Sequence, residues 1–205
     1  EISACLVGSE MCIRDRSYRD RTDDRPQAMA VLAGIASEDK YPAIARVLKT
    51  TDMASTYMEK YMVEALFVLG EPSAALDRMK RRMATIMDER SSTLYEHWNW
   101  TNSSNHAWSG ANIILLGQKV CGVAPLTPAF ETFSVRPQMG WLRRASTSFE
   151  TKYGRISVSL SRKTAKSRSA VLEIDVPAGT KAEVVLKNSR TAILESGHHK
   201  VEVKI

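Results

Sequence analysis

At Pro125-Leu126-Thr127-Pro128 the hydrophobic period of this chain changes. Upstream, apolar residues recur at helical spacing; downstream they alternate with polar ones, as in half-buried strands. A period that switches once does not describe interleaved βαβ units. It describes a helical part followed by a β part.

The helical part opens near Arg25, with Pro26 in a first turn and Met29, Leu32, Ala33 and Ala36 at helical spacing. A second helix is predicted from Pro42, presenting Ile44, Val47 and Leu48. The third is the clearest: between Ser55 and Gly70, residues Tyr57, Met58, Tyr61, Met62, Ala65, Leu66 and Leu69 form one stripe, and Gly70 is the stop. A fourth begins at Pro72 and is expected to bury Ala75, Leu76, Met79, Met83, Ile86 and Met87. Its wet face is then Asp77, Arg78, Lys80, Arg81 and Arg82, and the methionines read as core. A fifth runs from about Ala107 to Val120, ends at Gly122, and carries a run from Ala111 to Leu116 that implies burial on several sides. Helices joined by short connections, with no strand pattern between them, make an α/α architecture.

Beyond Pro125, alternation appears at Phe130–Val135, Ser146–Phe149, Ile156–Leu160, Val171–Val176, Ala182–Leu186 and Val201–Ile205. Turn residues at Pro137-Gln138-Met139-Gly140, Tyr153-Gly154, Pro177-Ala178-Gly179 and Ser196-Gly197 separate them, which predicts an antiparallel β-sandwich. Residues from Glu1 to about Arg21 carry no such period. The run from Leu6 to Arg16 looks like a translated sequencing adapter, so residues 1–22 are read as an artefact or a disordered arm. The expected organisation is therefore 23–124 helical and 125–205 β.

The net charge of +6 invites a nucleic-acid reading, but it is unevenly spread. From Trp141 onward 13 Lys/Arg face 6 Asp/Glu, while the preceding residues are close to balance. The cluster Arg162-Lys163-Thr164-Ala165-Lys166-Ser167-Arg168 lies between two strand patterns without interleaved aromatics, which fits a solvated turn and not a nucleic-acid patch. No window approaches about 18 consecutive apolar residues, so no membrane span is expected. Cys5, Cys12 and Cys121 have neither metal spacing nor a disulfide framework, and no cofactor or metal is called for. The compartment is left open, cytoplasmic or periplasmic and secreted alike.

Between the fourth and fifth helices, Thr93 to Trp108 packs three of the four tryptophans, two of the four histidines and the carboxylate of Glu96 into one loop. Aromatic rings beside a carboxylate and an imidazole suit a sugar-binding or hydrolytic pocket. Glu96, flanked by Tyr95, Trp98 and Trp100, is the candidate base; its local sequence also fits a surface-loop glutamate. Trp98 and Trp100 are candidate stacking platforms, whereas Trp108, at a helix start, reads as core. His106 after Asn105 either meets a sugar hydroxyl or is satisfied by backbone.

Five motifs in order carry a family resemblance: Asp23-Asp24-Arg25, Tyr57-Met58-Glu59-Lys60-Tyr61, Thr93-Leu94-Tyr95-Glu96-His97-Trp98, Asn105-His106-Ala107-Trp108-Ser109-Gly110, and Gly122-Val123-Ala124-Pro125-Leu126 followed by Phe130 and Phe133. Together with Pro137-Gln138 and Tyr153 to Val158, they make the chain resemble the C-terminal part of a bacterial α-L-rhamnosidase. The resemblance implies the C-terminal part of an (α/α)6 barrel followed by a β-sandwich, in an inverting hydrolase that removes terminal α-L-rhamnose from a glycan or glycoside. Glu96 is then the general base, and Trp98, Trp100, Asn105, His106 and Tyr57 are sugar contacts; Glu59 has this reading or that of a wet-face charge. The resemblance places the general acid in an upstream part of the same polypeptide, so the chain alone is expected to be inactive. The alternative is a non-catalytic carbohydrate-binding protein whose aromatic loop grips sugar.

Overall fold

The computed structural model describes residues 22–87, 92–99 and 104–205. The adapter-like segment, with Cys5 and Cys12, and the candidate contact Trp100 lie outside the described residues. The chain forms two compact units, dividing between Asn112 and Ile113, ahead of the change of period at Pro125. No helix among the described residues is long and apolar enough to cross a membrane.

Among the described residues, four α-helices build the first unit: α1 (Asp24–Leu32), α2 (Tyr41–Thr50), α3 (Glu59–Val68) and α4 (Pro72–Met83). α3 is central, packing against α1 and α4 and touching α2. Local chemistry sets the ends. Asp23 caps α1 by accepting from the Arg25 backbone N–H at 2.9 Å. α3 stops where Gly70 takes φ 73°. There the Gly70 N–H donates to the Phe67 carbonyl and the Glu71 N–H to the Leu66 carbonyl, so two otherwise orphaned carbonyls are satisfied.

The buried faces depart from the apolar stripes in three places. On α1 the buried residues are Asp24, Gln27, Ala28, Ala30 and Val31, with Met29 and Leu32 only half-buried. On α3, Met62, Ala65 and Leu66 are buried as expected, but Glu59 is fully buried, and Tyr57, in the turn just ahead of the helix, is 51% exposed. On α4 the expectation is overturned most clearly. Arg78 and Arg82 lie inside, Met79 and Met83 are half-buried, and Met87 is exposed. The cause is chemical: Glu59 and Asp24 turn the Ala75-Arg78-Arg82 face inward, because a buried carboxylate is tolerated only where a cation meets it.

The fifth helix is not continuous. A 3-10 turn at Ala107–Gly110 leads into a single α-turn, α5 (Asn112–Leu115), and a π-turn at Leu116–Val120. The change of pitch spreads the apolar run around the axis, so Leu115 and Val120 are buried while Ile113, Ile114 and Leu116 are exposed. The expected burial on several sides is not what forms.

The second unit is two four-stranded sheets. The strands are β1 (Val123–Pro125), β2 (Thr132–Val135), β3 (Arg144–Thr151), β4 (Gly154–Ser161), β5 (Ser169–Val176), β6 (Lys181–Val185), β7 (Thr191–Leu194) and β8 (Gly197–Lys204). One sheet has the order β1-β2-β6-β7 and the other β3-β4-β5-β8. Alternation does its work in β4 and β5: Ile156, Val158 and Leu160 with Ala170, Leu172, Ile174 and Val176 share one core with Phe133, Val135, Ala182 and Val184 from the other sheet. The sandwich is not wholly antiparallel, because β2 runs parallel to β6 with Phe133 opposite Ala182. Three strands of the other sheet separate them in sequence and supply the long crossover that parallel pairing needs. β1 and β7 escape the alternation pattern because they span only three and four residues.

Candidate functional site

The loop that bears Glu96 is stitched before its side chains are placed. The His106 N–H donates to the Leu94 carbonyl at 3.1 Å, the Ser109 hydroxyl donates to the Tyr95 carbonyl at 2.8 Å, and the Thr93 hydroxyl meets the Ser104 carbonyl. Residues 92–99 and 104–110 therefore run side by side. The segment before α3 holds them from beneath: the buried Thr56 hydroxyl donates to the Glu96 carbonyl, and the Trp98 indole N–H donates to the Ala54 carbonyl at 2.8 Å.

On this base the Glu96 carboxylate is 30% exposed. One oxygen lies 3.6 Å from His106 Nε2 and the other 3.8 Å from His97 Nε2. Both separations exceed a hydrogen bond, so the carboxylate keeps lone pairs for a water or a hydroxyl while either imidazole, when protonated, stabilises its charge. His106 packs on Trp108 with ring centroids 4.4 Å apart. Trp108 meets Tyr57 edge-on at 5.9 Å, and Tyr57 meets Tyr61 at 6.3 Å. The result is an aromatic row running from the His106 imidazole beside Glu96 to Tyr61 on α3. Trp108, read from sequence as core, is 43% exposed, as is about half of Tyr57.

Of the sequence candidates, Glu96, His106 and Tyr57 are thus joined through Trp108. Trp98 stands apart from that row: its N–H is spent on Ala54 and Arg82 covers its ring at 4.0 Å. Asn105 is exposed.

The residues that the sequence reading misassigned lie just below. Arg78 donates through Nε to Glu59 at 2.6 Å, through Nη2 to Asp24 at 2.7 Å, and through Nη1 to the carbonyls of Leu48 and Thr51 at 2.5 and 2.8 Å. Arg82 adds 2.6 Å to the Ala54 carbonyl and 3.4 Å to Glu59. Burial pushes the Asp24 and Glu59 carboxyls above their ordinary values, with Arg78 opposing it. Burial acts to lower Arg78 in turn, but Glu59 and Asp24 outweigh it and hold the guanidinium above its usual range. Glu59 is therefore neither a wet-face charge nor an exposed sugar contact. The usable signal was the phase of Arg78 and Arg82 with Ala75, an i, i+3, i+7 row on one helix face. No group of three or more His, Cys, Asp or Glu among the described residues is placed to hold a metal.

Residues 122–201 match the family described as the bacterial alpha-L-rhamnosidase C-terminal domain. An alpha-L-rhamnosidase of Formosa agariphila is 26% identical over 121 residues, covering 53% of this chain and 13% of that protein. Among solved structures, the alpha-L-rhamnosidase of Dictyoglumus thermophilum superposes with a TM-score of 0.73 at 15% identity, covering 90% of this chain and 26% of its own. The Streptomyces avermitilis enzyme, solved with L-rhamnose, gives 0.66 at 16% identity, covering 88% of this chain and 21% of its own. The chain thus spans about an eighth of the curated relative and about a quarter or less of those structures. Domain match, curated relative and solved structures converge: the chain resembles the C-terminal part of α-L-rhamnosidases.

Proposed function

We propose that this chain is the C-terminal part of a glycoside hydrolase that removes terminal α-L-rhamnose from a glycan or glycoside with inversion. On this reading the four helices belong to an (α/α)6 barrel, residues 23–124, followed by the β-sandwich at 125–205. The observation that carries it is the placement of Glu96: a partly exposed carboxylate, clear of hydrogen bonds to its two imidazoles at 3.6 and 3.8 Å, beside an aromatic row. Glu96 takes a proton from a water as that water attacks the anomeric carbon. A second carboxyl group, about 6.5–9.5 Å away, protonates the departing oxygen. Glu59 does not serve as that acid, since Arg78 and Arg82 occupy both its oxygens. The upstream part of the polypeptide supplies it. His106 holds a sugar hydroxyl, Tyr57 and Trp108 offer faces to the deoxy-hexose, and Trp98 steadies the loop.

In a polypeptide carrying this chain with its upstream part, Glu96→Gln is expected to lower turnover of an aryl α-L-rhamnoside on the order of 100- to 10,000-fold while rhamnose binding persists. Proton NMR of the first-formed sugar should show the β-anomer, and this chain alone should release no rhamnose. Turnover unchanged in Glu96→Gln would refute the assignment. The exposed Tyr57 and Trp108 rings also support a second reading, a non-catalytic carbohydrate-binding protein. That reading gains if rhamnose binds and no rhamnoside is hydrolysed even with the upstream part present.

A further inference from the structure

One end of the β3-β4-β5-β8 sheet gathers the excess positive charge into a groove of about 420 Å³. Strand register brings Arg144 opposite Ser161, Ser161 opposite Val171, and Val171 opposite Glu202. Around this row stand Arg143, Arg162, Lys163 and Lys187, so that among the described residues five cations line the groove against the one carboxylate of Glu202. Glu202 is already engaged by Lys187 at 2.9 Å. Arg143, Arg144 and Lys163 form no ion pair among the described residues, whereas Lys181, Arg155, Arg136 and Lys200 elsewhere in the unit each have one. Arg162 fixes the shape. It donates to the Leu142 carbonyl at 2.7 Å, the Ser167 carbonyl at 3.1 Å and the Gly140 carbonyl, clamping the loop after β4 onto the turn before β3.

We propose that this groove binds a carboxylate-bearing glycan, a chain of uronic acid residues, at a site built from none of the residues around Glu96. Arginine forks and ammonium groups that lack internal partners suit carboxylates spaced along a polymer, and Arg binds a carboxylate through two parallel hydrogen bonds. The hydroxyls of Ser161, Ser167 and Ser169 line the same groove and match sugar hydroxyls. Among the described residues no aromatic ring lines it, so they offer no stacking platform of the kind by which proteins grip unpaired bases. The choice of a glycan over other polyanions rests on the glycosidase reading above.

The test is titration of the full chain, at low salt, with an oligogalacturonate, with its methyl ester, and with an oligo-deoxythymidylate of matching charge. Oligogalacturonate is expected to bind, more weakly as salt rises, and the ester is not. Arg144→Glu should weaken binding by roughly tenfold or more, since attraction becomes repulsion in a partly screened site. Lys152→Glu, the same charge reversal away from the groove, should leave binding within about twofold for the same screening reason. Both positions are exposed, so circular dichroism should be unchanged in either variant. No binding, equal binding of the ester, tighter binding of the oligonucleotide, or an equal loss in Lys152→Glu overturns the proposal. Hydrolysis of a neutral aryl rhamnoside by the longer polypeptide reports separately on Glu96 and should not respond to Arg144→Glu.

Discussion

Arg82 and Trp98 share one acceptor: Arg82 Nη2 and Trp98 Nε1 both donate to the Ala54 carbonyl, at 2.6 and 2.8 Å, while the guanidinium lies 4.0 Å from the centroid of the indole. A residue of α4 thereby pins the loop that carries Glu96. Arg82→Ala should lower stability to urea by about 2–3 kcal/mol, the loss of one cation–π contact and of the buried hydrogen bonds to Ala54 and, at longer range, Glu59. Arg82→Lys keeps the charge but not the planar fork, and should recover less than half of that. Trp98 emission, isolated by difference against Trp98→Phe, should shift to the red in Arg82→Ala. An unchanged spectrum with unchanged stability would remove Arg82 from this role.

Arg78 is the deeper support, at 2% exposure with all its donors used. Arg78→Met leaves the Asp24 and Glu59 carboxylates buried without their main cation and is expected to cost about 3–5 kcal/mol. The pH dependence has a definite sign. Burial already raises both carboxyls above 3.8 and 4.5, and removing Arg78 removes the main group that opposes it, leaving Arg82 beside Glu59. A carboxyl raised in the fold contributes stability that is present below its unfolded value and lost as pH rises through its folded value. The deficit of Arg78→Met should therefore be largest at neutral pH and shrink on mild acidification, and adding Asp24→Asn with Glu59→Gln should recover part of it at pH 7. A deficit that grows with acid would contradict the network.

How much of this was legible depends on what each side chain asks of its neighbours. The β-strands of the core were readable because Ile156, Val158, Leu160, Leu172 and Ile174 need only an apolar partner, and alternation reports that need directly. Arg78, Arg82 and Glu59 are buried only because they meet one another across α3 and α4, and no local pattern in either helix contains the partner. The same holds at the candidate site. Glu96 and His106 stood out by composition, but the row from His106 through Trp108 to Tyr57 joins segments about fifty residues apart, a relation set by tertiary packing. The parallel β2–β6 pair likewise depends on topology rather than on either strand's own residues.

Gly122 shows a residue whose kind was legible and whose reason was not. Read from sequence as a helix stop, it has φ 78° and accepts the Arg136 N–H at 2.9 Å. An added Cβ would lie 2.2 Å from the Arg136 carbonyl carbon and 2.4 Å from Pro137 N, both backbone atoms that cannot swing away. Gly122→Ala should destabilise the β-unit by more than about 3 kcal/mol, combining left-handed strain with overlap. Gly179→Ala, with a comparable φ of 77° but its nearest neighbour at 3.8 Å, should cost only about 1 kcal/mol. Thermal melts of the two variants separate strain from close approach.

Cys121 makes the β-unit sensitive to alkali. The thiol is 2% exposed beside Val123 and Val135 in the core, and burial pushes it from 9.0 up to about 11. Burial disfavours the thiolate, so the folded state stays protonated where the unfolded chain has ionised. The contribution to stability is complete below 9 and disappears as pH climbs toward about 11. Cys121→Ala removes that titration at the cost of a small void, about 1 kcal/mol at neutral pH. The advantage of the parent chain over Cys121→Ala should therefore shrink or reverse by about 2 kcal/mol across this range. Lysine and tyrosine titrate alike in both proteins and cancel in the difference. Urea midpoints measured at intervals through that window decide the matter, and a gap that stays constant would mean the buried thiol does not titrate with the fold.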